Sequence, residues 1–205
     1  MIAGHFGLAA IVKGREPQVP LWALMLSTQL LDVFFVVLFL LNIESFTPIP
    51  GTGGGYGNMI IHADYTHSLV GALVISIVAM IAAWIPWGRR NGLIIGAVVF
   101  SHWILDLIVH RGDMPILPGN AGDLPTLGFG LWAIPWLSFL AELALILVGA
   151  YMYYHAAMRT AVVAERQDAK AGATPKGYRR QALLTSILMF VLLLGTLLAD
   201  FFGIG

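Results

Sequence analysis

Five apolar runs organise the chain, each close to the roughly 20 residues that a helix needs to cross a bilayer: Val19 to Leu41, Ser68 to Trp87, Gly92 to Val109, Leu131 to Tyr154 and Leu183 to Phe202. Ahead of them, "IAGHFGLAAIV" is too short to span and predicts a half-inserted or re-entrant helix. Between the runs, "FTPIPGTGGGYGN" and "RGDMPILPGNAGDLPTLGFG" are dense in Gly and Pro, the composition of turns and irregular chain. "GTGGGYG" lacks the Lys-Ser/Thr of a P-loop and follows no strand, so it reads as a plain connection. The predicted fold is all-α: a polytopic membrane bundle of five spanning helices plus a short N-terminal half-inserted helix. Residues 1–205 form a single transmembrane domain, with a basic linker over 158–181 before the last helix.

Composition agrees with that pattern. The chain is 59% hydrophobic and only 11% charged, with a mean hydropathy of +0.84, which excludes an ordinary soluble domain. It has no cysteine, so any metal must be held by nitrogen and oxygen. The net charge of zero hides an asymmetry. Lys13 and Arg15, Arg89 and Arg90, and the basic residues between Arg159 and Arg180 fall in alternate connections. The positive-inside rule therefore places these in the cytoplasm and loops 42–67 and 110–130 outside, with Arg111 the one dissenter. "MIAGHFGLAAIVKGR" puts its basic residues after the apolar stretch, so the start is read as retained and not as a cleaved signal. The expected location is a bacterial inner membrane.

Charged side chains at bilayer depth cost at least about 2.5–3.5 kcal/mol each, so each should face protein and have a partner. Asp32, His102, Asp106 and Glu142 all lie within apolar runs, His67 opens the second run, and His5 lies on the short first helix. His102, Asp106 and His110 recur every fourth residue, which puts them on one helix face. A histidine and a carboxylate so spaced can share a metal, or the carboxylate can orient the imidazole. Each residue also has a structural reading. His102 with Asp106 can be a hydrogen-bonded strut, His5 a headgroup-level residue, Asp32 a proton relay or a packing group, and Glu142 a carboxylate bonded to Ser138. His62, Asp64, His110 and Asp113 read as loop residues near solvent, and Asp200 as a headgroup-facing terminus. Three imidazoles and three carboxylates converging from five segments favour a metal site over struts alone.

"GHFGLA", "STQLLD", "DYTHSL", "SHWILDLIVHRGDMPILPG" and "LAEL" follow one another in the order seen in a membrane-bound family of metal-dependent hydrolases. The chain resembles that family over residues 1 to about 155. It is also called the LexA-binding inner-membrane hydrolase family, and some members carry the name permease. The resemblance extends distantly to zinc-dependent phospholipase C and S1/P1 nuclease. It implies metal ligands at His5, Asp32, His67, His102 and Asp106, with Glu142 a weaker match. The arginine-rich segment often found before the family's Thr-His is replaced in this chain by "HADYTH".

The reading is a membrane-embedded hydrolase of an ester or phosphoester. His67, His102 and Asp106 are its core ligands. His5 and Asp32 complete a second metal position or act on the water, and Glu142 serves as general base or supporting partner. The ligand types suit zinc, manganese or iron, and the resemblance favours zinc. Expected partners are membrane lipid and a small-molecule or lipid-like substrate, with no nucleic acid, in a homo-oligomer or a larger membrane complex. The competing readings are a proton-linked permease and a structural accessory subunit.

Overall fold

The computed structural model describes residues 1–50, 57–174 and 176–203. The glycine-rich stretch 51–56, expected to be a plain connection, and Pro175 in the linker lie outside them. The described chain is mostly helical: α1 (Ile2–Arg15), α2 (Leu21–Thr28), α3 (Leu30–Leu40), α4 (Leu69–Val109), α5 (Pro135–Lys170) and α6 (Tyr178–Phe202). Three helices, α4, α5 and α6, are long and apolar enough to cross a membrane, and α2 with α3 makes a fourth if the bent pair is one span.

The run from Val19 to Leu41 is not one helix. It starts at Leu21 after Pro20 and breaks at Gln29, where α3 turns 52° from α2. The polar triplet Ser27-Thr28-Gln29 explains the break. Ser27 Oγ donates to the Ala23 carbonyl and Thr28 Oγ1 to the Met25 carbonyl, side-chain bonds that bend helices. The Thr28 carbonyl, where an unbroken helix would accept from the Asp32 amide, accepts from His102 Nδ1 at 2.6 Å.

α4 is likewise interrupted, at Gly88 (φ 80°, ψ 167°), a conformation that favours glycine. Beyond it the chain turns back. A side chain on Gly92 would strike Trp84 and the Met80 carbonyl, and one on Gly96 would strike Met80, so the two limbs of α4 pack closely through glycine. α1 lies against α5 in the same manner. Gly7 faces the backbone of Leu145 and Ile146, and Gly14 faces Met152.

Two further features depart from the sequence reading. The segment after α3 forms an antiparallel hairpin of β1 (Ser45–Pro48) and β2 (Met59–His62), with Phe46 opposite Ile61. And α5 does not stop near Tyr154 but runs on to Lys170, taking up much of the predicted linker. "AAMRTAVVAERQDAK" is made largely of good helix formers, and polarity alone does not end a helix. The chain leaves helix at Ala171 and Gly172 (φ 69°).

The basic residues other than Arg111 gather at one end, whereas Arg111 donates to the Gly57 carbonyl at the other. Arg90 pairs with Glu16 at 2.8 Å, which joins the Gly88 turn to the end of α1, and Arg179 pairs with Glu165 at 2.8 Å between α6 and α5. Asp32, His102 and Asp106 of the apolar runs meet at the opposite end of α4's second limb.

Candidate metal centre

The centre draws on three helices. His5 comes from the second turn of α1, Asp32 from the first turn of α3, and His102 and Asp106 from successive turns of α4's second limb. His67 precedes Ser68, which caps α4 by accepting from the Gly71 amide at 3.0 Å. Trp103, on the limb that carries His102, donates its indole N–H to the His67 carbonyl at 2.9 Å and so fixes that residue against the limb.

Hydrogen bonds set which nitrogen of each core imidazole faces inward. His102 Nδ1 donates to the Thr28 carbonyl at 2.6 Å, which leaves the lone pair of a neutral ring on Nε2. His67 Nδ1 lies 2.9 Å from Thr66 Oγ1. The Thr66 hydroxyl hydrogen is committed to the Glu44 carboxylate, 2.9 Å away at Oε2, so the hydroxyl oxygen accepts from His67 Nδ1. Glu44 is itself held by the Tyr65 and Thr66 amides, both at 2.8 Å. When both rings are neutral each therefore presents an Nε2 lone pair, and the two Nε2 atoms are 3.2 Å apart.

Two carboxylates complete the group. Asp106 Oδ2 lies 3.0 Å from His102 Nε2 and 3.5 Å from His67 Nε2, and Asp32 Oδ1 lies 3.5 and 3.4 Å from the same two nitrogens. Acceptors packed this closely repel unless a proton or a metal ion lies among them. Donors bound to a tetrahedral ion at about 2.0–2.1 Å sit roughly 3.3 Å from one another. These five separations, from 3.0 to 3.5 Å, lie close to that donor–donor spacing. Asp32, His67 and His102 form one group whose ligand atoms lie close enough to hold a metal ion. His67, His102 and Asp106 are buried, whereas the Asp32 side chain is 39% exposed, so Asp32 is the most accessible of the four.

His5 lies outside these four donors but touches them. Its Nε2 is 3.0 Å from Asp106 Oδ1, and its ring stacks on that of His102 with centroids 3.9 Å apart. His5, His102 and Asp106 form a second group able to hold an ion, and the two groups share His102. One Nε2 lone pair serves one ion, so two ions could not both use His102.

Glu142, read from the sequence as a base, is fully buried but stands apart from both groups. Its Oε2 accepts from the Gly4 amide at 2.9 Å, which satisfies the first turn of α1 and holds His5's helix in place. Ser138, its expected partner, donates to the Leu131 carbonyl at 2.8 Å. His62 pairs with Thr47 across the hairpin at 3.2 Å, Asp64 offers its carbonyl to the Gly119 amide, and Asp200 lies half-buried against the amides of Ile2 and Ala3.

Two residues join the site that the sequence reading left outside it. His110 is buried and not solvated. Its Nδ1 is 2.9 Å from Asp113 Oδ1, its Nε2 is 3.8 Å from Asp106 Oδ2, and its ring packs on Trp132 at 4.4 Å. The four-residue spacing from Asp106 was the available signal. Glu44 is the other, and it has no sequence signal, because only the hairpin returns the chain to bring it to Thr66. His5, Asp32, His67, Asp106 and His110 all line a cavity of about 610 Å³. No family model matches the chain, and no curated protein or solved structure matches it.

Proposed function

We propose that this chain is a membrane-embedded, metal-dependent hydrolase of an ester or phosphoester, with zinc held by His67, His102 and Asp106. The observation that carries the reading is that His67 Nε2, His102 Nε2 and Asp106 Oδ2 lie 3.0–3.5 Å from one another, with Asp32 beside them on the cavity. Catalytic zinc sites keep three protein ligands and an open position, whereas closed sites use four. A zinc ion so held supplies Lewis acidity and lowers the pKa of a water to about 7. Asp32 then takes a proton from the attacking water. The water oxygen bonds to the carbonyl carbon or phosphorus, the bond to the alcohol oxygen breaks, and the alcohol leaves with a proton. His110, oriented by Asp113, is placed to supply that proton. His5 bonds the far oxygen of Asp106 and fixes the carboxylate that His102 and His67 share. The sequence resemblance supports the same chemistry.

Each limb of α4 counts as a crossing in this reading, which gives five with α2–α3, α5 and α6. The clustered basic residues face the cytoplasm of a bacterial inner membrane, and the metal centre lies in the outer half. With no native cysteine to remove, single-cysteine labelling tests this directly. Ala121→Cys should react with a membrane-impermeant maleimide in intact cells and Ala171→Cys only after lysis. The reverse pattern inverts the topology.

The function is tested by metal analysis of the chain after mild detergent extraction, followed by hydrolysis assays on carboxylic esters, phosphodiesters and phospholipids. The expected result is about one zinc per chain, with hydrolysis lost on strong chelation and restored by zinc. A zinc-loaded chain inactive across that panel points to a proton-linked permease, and a stable metal-free chain points to an accessory subunit.

A further inference from the structure

We propose that the cavity beside α3 takes the alkyl chain of an amphiphilic ester directly from the bilayer, sideways between α1 and α3, with an uncharged or singly charged ester group at the metal donors. The inference rests on the hydrolase reading and adds to it the substrate class and the route.

The route follows from the break at Gln29. α1 packs along α2, and the 52° bend then carries α3 away from α1. The space so opened is the cavity of about 610 Å³, within the range of pockets that bury a small ligand. Met1, Ile2 and His5 of the α1 end lie on one side and the stretch from Gln29 to Val37 on the other.

The substrate class follows from the lining. The lining shared with the donors includes Val33, Phe35, Val36, Val37 and Ile61. Val33, Val36 and Val37 are each about half exposed on the apolar face of α3, so this wall is continuous with the lipid-facing surface. An alkyl chain leaving the bilayer would exchange one apolar environment for another, whereas a polar solute would first have to cross that surface. Among the described lining residues there is no lysine or arginine, while Asp32 and Asp106 are both present. Sites for phosphomonoesters or free phosphate supply such cations to a doubly charged group. With no lysine or arginine among its described lining and with Asp32 and Asp106 adding negative charge, this cavity fits a carboxylic ester or a phosphodiester.

The test uses the full chain loaded with cobalt in maltoside micelles, where the visible cobalt spectrum reports a ligand at the metal without requiring turnover. Hexadecylphosphocholine, a single-chain phosphodiester, should perturb the spectrum at a concentration roughly a hundredfold below that of glycerophosphocholine, which has a phosphodiester and no alkyl chain. Val36→Trp, filling the cavity wall, should weaken the hexadecyl response at least about tenfold with cobalt still bound. Val74→Trp, which adds the same bulk on an exposed face of α4 outside the cavity lining, should leave it unchanged. Equal responses to the two probes, or a hexadecyl response indifferent to Val36→Trp, would overturn the lateral route while leaving the metal centre standing. Failure of the chain to bind cobalt or zinc at all would overturn the centre and the hydrolase reading with it.

Discussion

His102→Ala is expected to abolish metal binding in a chain that still folds and extracts as wild type does. The imidazole supplies the Nε2 shared by both candidate groups, and alanine leaves each of them one donor short. The opposing expectation is equally definite. His102 is fully buried beside Asp106, and if the pair were only a strut, its removal would leave an uncompensated buried carboxylate at a cost of about 3–5 kcal/mol. Folding would then fail first. Zinc content per folded chain, measured beside thermal stability in detergent, separates the two. Zinc near zero with modest destabilisation supports a ligand, whereas unchanged zinc in a poorly folding chain removes His102 from the ligand set.

The second large effect is expected at Asp32. Asp32→Asn keeps the shape and withdraws the proton acceptor, while His67, His102 and Asp106 remain to hold the ion. Turnover should fall by about a hundredfold or more, the range of general-base contributions. KM should change little and zinc content should be retained. Loss of zinc in this variant would make Asp32 a ligand of the ion, and the open position would then have to be sought elsewhere.

Much of this site was legible in the sequence because helical periodicity carries direction. The spacing of His102 and Asp106 placed both side chains on one face, and the distances confirm that they converge. The cost of charge in a bilayer likewise pointed Asp32 inward. Depth along a helix says less about azimuth, however. Glu142 is fully buried, yet it faces the first turn of α1 and not the donors. His110 was the third member of the visible stripe, but its burial depends on Trp132 packing over it after a 20-residue loop, a tertiary event with no local signal. The break at Gln29 had a signal, the polar triplet in an apolar run. Its meaning depended on His102, far along the chain, taking the Thr28 carbonyl.

That the donors come from segments so far apart bears on how the protein is made. Asp32 is synthesised 70 residues before His102 (102 − 32) and 35 before His67 (67 − 32). At about 5–20 residues per second, its carboxylate waits roughly 4–14 s for the second of the two imidazoles that will surround it. A lone carboxylate in hydrocarbon is costly throughout that interval, so α3 must keep it protonated or remain beside the water of the insertion machinery until the second limb of α4 arrives. On the proposed reading α3 thus settles after helices that are translated later, and an ion could be loaded only once α4 has folded back at Gly88.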